Sequence, residues 1–116
     1  MNETLGQKQE RFSRIHPLLI SKALEIWPHV RLGDLFRDPR VHGDMGVKMG
    51  YGQANSCHKL KLAQDINFII INNEGKEEVG GDAFHKLLHD WWDTQGGSKR
   101  IDNDMNHYSL EHNGYR

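Results

Sequence analysis

The stretch that most constrains the fold of this chain is Ala63-Gln64-Asp65-Ile66-Asn67-Phe68-Ile69-Ile70-Ile71. Ile66, Phe68 and Ile70 alternate with Asp65, Asn67 and Ile69, the period of two that marks a strand with two unlike faces. Asp65 and Asn67 share one face, and Ile66, Phe68 and Ile70 share the other. A carboxylate in so apolar a strand is costly unless something compensates it. A metal ion is one compensation, and His58 stands upstream in Ser56-Cys57-His58 to help hold it.

With 116 residues the chain reads as one domain, 1–116, large enough for a modest core. Its formal net charge of −1 offers no global electrostatic case for nucleic acid or an anionic membrane as partner. One cysteine, Cys57, excludes an internal disulfide and fits a reducing compartment. The residues from Met1 to Lys8 lack the apolar segment of a secretory signal, and no apolar run reaches bilayer-spanning length. Eight histidines in a chain this short raise the expectation of a metal site.

Around the central strand, helical spacing of Phe12, Ile15, Leu18, Leu19, Leu24 and Ile26 predicts a helix from about Gln7 to Trp27. Pro17 suggests a break there, with a second helix beginning near His16. Pro28 ends the helix, and His29 to Phe36 reads as a short strand and turn. From Arg37 to Asn55 the chain is glycine-rich and leads straight to His58. It reads as a substrate-facing loop, with a plain surface excursion as the alternative. Asn72-Asn73-Glu74-Gly75 predicts a turn and Lys76 to Val79 a return strand. Asp82 is a candidate cap for a helix from Ala83 to Asp93, with Phe84, Leu87, Leu88, Trp91 and Trp92 inward and Gln95-Gly96-Gly97 as its stop. His107 to Leu110 reads as a last short strand. The fold class expected is α+β, a small antiparallel sheet with packed helices.

Three constellations compete for chemistry. His58, Asp65 and His107 supply two imidazoles and a carboxylate, a set suited to catalytic zinc with one position open, and Asp104 stands three residues before His107. By spacing alone the same residues also read as surface histidines and an aspartate satisfied by backbone. His85 and His89 lie at i and i+4 on one helix face. The metalloprotease pattern His-Glu-x-x-His needs glutamate where this chain has Lys86, so the pair reads as a solvated face. Cys57 is a third candidate, as a nucleophile, but adjacent residues of an extended chain point apart, so His58 is poorly placed as its base.

Taken together, Ser56-Cys57-His58, Ala63-Gln64-Asp65-Ile66-Asn67, Trp92 with Gly96-Gly97, and Asp104-Met105-Asn106-His107-Tyr108-Ser109-Leu110-Glu111 resemble a known group. These are the small zinc peptidases that cut peptidoglycan stem peptides: D-alanyl-D-alanine carboxypeptidases and dipeptidases, and phage L-alanyl-D-glutamate endopeptidases. They share a fold with the Hedgehog signalling domain. Their pattern is Ser-x-His, six residues, Asp, and later an acidic residue three before a His followed by an aromatic. The resemblance covers about the last two-thirds of the chain.

What the resemblance implies is specific. His58, Asp65 and His107 would bind Zn2+, and Asp104 would be the general base and acid. Leu35-Phe36-Arg37-Asp38-Pro39 resembles the segment that carries the family's arginine. Arg37 would then bind a substrate carboxylate or steady the carbonyl oxyanion. An ion pair with Asp34 or Asp38 is the alternative for Arg37. Ser56 would orient the site or the substrate. The partner implied is a peptidoglycan stem peptide, acted on by a monomer of phage or prophage type. Such a protein would accumulate in the host cytoplasm and need a holin-like route to the wall. A metal-binding module of the same fold without turnover is the rival expectation. Cys57 departs from the arginine or other large residue common there in the family. The segment after Asp65 lacks the usual long insertion, and no cell-wall-binding module is present.

Overall fold

The strand expected around Asp65 runs from Ala63 to Ile71, and every other strand pairs with it. The computed structural model describes residues 3–42, 44–48 and 56–116. In chain order these form α1 (Leu5–Ile26), β1 (Val30–Leu32), α2 (Pro39–His42), a 3-10 helix (Cys57–Leu60), β2 (Ala63–Ile71), β3 (Glu77–Gly80), α3 (Asp82–Thr94) and β4 (His107–Ser109). The protein is therefore α+β, with a four-stranded antiparallel sheet. Part of the glycine-rich segment read as a substrate loop, including Gly43, Gly50 and Gly52, lies outside the described residues.

Backbone hydrogen bonds set where each neighbour of β2 lies. Asp65 donates its N–H to Asp34 O (2.8 Å) and accepts from Gly33 N–H (2.9 Å), whereas Ile66 N–H donates to Asn106 O (2.8 Å). Alternate residues aim their peptide groups at opposite edges. The β1 side thus holds one edge, and β3 and β4 follow one another along the other. Phe84 and His85 rest their rings on Phe68, and His16 bonds Gln64. The two long helices accordingly cover the face of Gln64, Ile66 and Phe68, leaving Asp65 and Asn67 on the opposite face. The core between helices and sheet includes Leu19, Leu62, Ile66, Phe68, Leu88, Trp92, Tyr108 and Leu110, each fully buried. Each such apolar side chain contributes roughly 1.5–3 kcal/mol relative to exposure.

Helix α1 begins on a capping box in which Thr4 and Gln7 satisfy each other's backbone N–H, and Trp27 caps its far end. No break occurs at Pro17, contrary to the expectation of two helices; Pro17 lies inside one continuous helix. Pro17 and Ser13 are both exposed, so the Ser13 carbonyl deprived of its partner lies on the solvent side of the helix. Phe12, Leu19 and Ala23 form the buried stripe, and Leu18 and Leu24 stay about half exposed. That stripe is narrower than the composition of the segment implied.

Helix α3 is rotated relative to its expected face. His85, Leu88, His89 and Trp92 point inward at i, i+3, i+4 and i+7, while Leu87 is 58% exposed. Reading His85 and His89 as a solvated face was therefore wrong. Both imidazoles find partners inside: His85 Nδ1 meets Tyr108 Oη at 2.7 Å and His89 Nε2 meets Met105 O at 2.7 Å. Satisfied polar groups can be buried where unsatisfied ones cannot. Gly81, not Asp82, caps the helix; Asp82 sits in the first turn, where its charge suits the helix dipole.

Burial pushes the His85 imidazole down to about 4, with a smaller contribution from the charge of His89. Folded His85 is neutral through the range in which unfolded histidine takes a proton, near pH 6.5. Its stabilising contribution is complete above about pH 6.5 and is lost as pH falls towards 4. Urea midpoints of the metal-stripped protein are expected to fall across that window, and His85→Gln to flatten the fall. A midpoint constant from pH 7 to 4.5 in the unsubstituted chain would contradict this.

Gly97 follows the helix stop for a steric reason. A Cβ there would lie 2.1 Å from Trp92 Nε1. Trp92 is fully buried and donates Nε1–H to Ser109 O at 2.9 Å, so the indole has nowhere to move. Gly97→Ala is expected to destabilise the fold by about 1–3 kcal/mol, the range for overpacking. That loss appears as a melting temperature several degrees lower, and an unchanged one would refute the contact.

Candidate metal centre

Three elements deliver the site. Ser56 caps the short 3-10 helix, its Oγ accepting from His58 N–H at 3.2 Å, and this turn presents His58. Strand β2 presents Asp65. Strand β4 presents His107, which stands directly opposite Asp65 in the ladder, so the two side chains share a face. Gly33 allows the β1 side to close over Asp65, since a Cβ at Gly33 would lie 2.9 Å from Asp65 Cβ. Buried Gln64 fixes the same region, donating to Gly33 O and Asp65 O while accepting from His16 Nε2–H.

The three predicted ligands converge. His58 Nε2 lies 3.1 Å from Asp65 Oδ1 and 3.1 Å from His107 Nδ1, and His107 Nδ1 lies 3.5 Å from Asp65 Oδ1. A tetrahedral ion with bonds of about 2.0–2.1 Å needs ligand separations of about 3.3–3.4 Å. Tautomer logic agrees with that fit. His58 Nδ1 meets Leu35 O at 3.1 Å, and a carbonyl only accepts, so the proton is on Nδ1. The lone pair of Nε2 then faces a carboxylate oxygen and a second imidazole nitrogen, an arrangement that a cation between them relieves. His58 is fully buried and His107 is 7% exposed. Burial raises the Asp65 carboxyl, but the two imidazoles against its Oδ1, His107 and His58, outweigh it and hold the group well below the usual carboxylate range. Asp65 is therefore an anion, as a ligand must be. Among the described residues this is the group of His, Cys, Asp and Glu side chains whose ligand atoms meet.

A cleft of about 290 Å3 adjoins the triad and is lined by His107, Asp104, Arg37, Ser56, Asn103 and Arg116, with Ile101. Asp104 contributes no atom to the triad but shares the cleft with His107, which donates its backbone N–H to Asp104 O at 3.1 Å. Arg37 joins both earlier readings. Its Nε donates to Asp34 Oδ2 at 3.1 Å and its Nη1 to Ser56 Oγ at 3.2 Å, and its Nη2 lies 3.9 Å from Asp65 Oδ2. The ion pair with Asp34 and a position on the cleft wall are both present. A larger groove of about 570 Å3, lined by Trp27, Val30, Ile69 and Ile71 among others, contains none of the predicted site residues.

The surroundings of Cys57 are those of a packed thiol rather than of an activated nucleophile. The residue is fully buried, its Sγ–H is directed at Leu110 O and Tyr115 O, and burial pushes the thiol up to about 11. His85 and His89 bond protein groups and stay outside the converging set. Leu35, Gly33 and Gln64 were not anticipated. Leu35 and Gly33 act through backbone, which leaves no mark in side-chain type, and Gln64 sits beside Asp65 without a motif of its own. No helix among the described residues is long and apolar enough to cross a membrane. Comparison of the chain with protein-family models, with curated proteins and with solved structures finds no match.

Proposed function

We propose that this chain is a zinc-dependent peptidase that hydrolyses an amide bond in peptidoglycan stem peptides, of the L-alanyl-D-glutamate endopeptidase or D-alanyl-D-alanine carboxypeptidase type. The observation that carries the chemistry is the convergence of His58, Asp65 and His107 beside a cleft that also holds Asp104. The substrate class rests on the motif resemblance. Two imidazoles and one carboxylate suit zinc, whereas calcium and magnesium favour oxygen ligands throughout. Zinc held by these three side chains supplies a Lewis acid that polarises an amide carbonyl and acidifies water.

The remaining work belongs to the chain itself. Asp104 takes a proton from the attacking water on its carboxylate and returns it to the leaving amine. Arg37 steadies Asp65 and Ser56 and borders the cleft where a substrate oxyanion or carboxylate would lie. Ser56 joins the His58 turn to Arg37 through one hydroxyl.

Digestion of purified peptidoglycan with the zinc-loaded chain, with and without chelator, tests the reading. Mass analysis is expected to find a new stem-peptide terminus that chelator suppresses. Intact walls after incubation with a folded, zinc-bound chain would replace the peptidase with an inert metal-binding module. Fragments that resist chelation would remove the metal from the chemistry.

A further inference from the structure

We infer that His89 is a positioning residue for the candidate site: together with His85 it clamps the chain on both sides of His107 and so places Asp104. The inference rests on the reading of Asp104 and His107 given above. It starts from a histidine pair that the proposed chemistry does not use. His89 is 2% exposed, and burial lowers its pKa, so it is a neutral ring. Its Nε2 meets Met105 O at 2.7 Å, and since a carbonyl only accepts, the proton is on Nε2. Met105 directly follows Asp104 and comes two residues before His107. On the other side of His107, Tyr108 stacks on the His89 ring at 4.0 Å with an interplanar angle of 15°. The Tyr108 hydroxyl also meets His85 Nδ1 at 2.7 Å.

Helix α3 thus holds the residue after Asp104 by a hydrogen bond and the residue after His107 by ring contact. The segment is also tied from β2, where Asn67 Oδ1 accepts from Asn106 Nδ2 at 3.0 Å. Asp104 itself has its N–H bound to Ile101 O and its carbonyl bound to His107 N–H. These bonds make a closed turn; β2 holds it at Asn106, whose carbonyl accepts from Ile66 N–H at 2.8 Å, and its tilt about that hold follows from where His89 fixes Met105 O. Loss of the His89 donor frees that carbonyl, and the turn shifts the Asp104 carboxyl and the His107 ring together. Small displacements of this kind degrade alignment more than binding.

The test uses the full chain with His89→Gln, which keeps an N–H donor at the reach of Nε2, and His89→Asn, which places its amide short of Met105. Circular dichroism and melting confirm that each is folded. Two readouts are taken: Co2+ affinity of the metal-stripped chain, and kcat and KM for wall-derived stem peptide. Expected for His89→Asn is a Co2+ affinity at least tenfold weaker and kcat at least tenfold lower with KM within threefold, both largely recovered in His89→Gln. Equal Co2+ affinity and equal kcat in all three chains would overturn the clamp, as would a Gln variant no better than Asn. If no chain hydrolyses the peptide but the Co2+ pattern holds, the clamp stands and the peptidase reading falls. If the unsubstituted chain binds no Co2+, both fall.

Discussion

Asp104→Ala is expected to lower hydrolysis of purified stem peptide by about 10²–10⁴-fold, the usual worth of a positioned general acid–base, while the chain still binds one equivalent of zinc. The separation of effects is the point. Asp104 lines the cleft beside His107 but gives no atom to the converging triad, so its removal leaves all three ligands in place. Its backbone carbonyl still accepts from His107 N–H, and its N–H still reaches Ile101 O, because neither bond uses the side chain. The turn is therefore expected to survive the substitution, and melting should change little. Asp104→Asn is the sharper variant, since it keeps the size and planar shape of the side chain while removing its charge and its ability to carry a proton. A loss in kcat with KM unaltered is the expected signature. Lysis that persists in Asp104→Asn would show that another group takes the proton.

Removal of the metal is expected to abolish activity and to lower stability at once. A ligand that binds only the folded chain stabilises it by RT ln(1 + [L]/Kd), about 4 kcal/mol at a thousandfold excess over Kd. Chelation should therefore lower the melting temperature by many degrees, and added zinc should restore both melting and hydrolysis. His107→Ala is expected to reproduce the chelated state in a form that zinc does not rescue. The stripped site keeps His58 Nε2 at 3.1 Å from Asp65 Oδ1, without the cation that would hold the imidazole and the carboxylate together. Equal melting curves with and without zinc would show that these three side chains hold no ion in solution.

Local sequence patterns determined much of the frame. The strand from Ala63 to Ile71 was legible to its end residues, because alternation and a following Asn-Asn-Glu-Gly turn leave a nine-residue segment little choice. The hairpin to β3 and the existence of both long helices were equally legible from periodicity and stop signals. Helix faces were not. His85 and His89 look polar in isolation, and only Tyr108 and Met105, brought from a distant segment, give them the partners that let them be buried. Pro17 looks like a break, yet flanking contacts on one stripe keep α1 continuous around it.

The candidate ligands could be named from residue type and spacing, but spacing left a metal set and a pair of surface histidines both open. Only the tertiary structure chose between scattered and convergent side chains. His58 and His107 are 49 residues apart in the chain and 3.1 Å apart at their ring nitrogens. That approach depends on the antiparallel register of β4 on β2, which sets His107 opposite Asp65. A slip of one residue would turn His107 to the helix side of the sheet. Register is decided by which faces the helices cover, a property of the packed chain that no local stretch encodes.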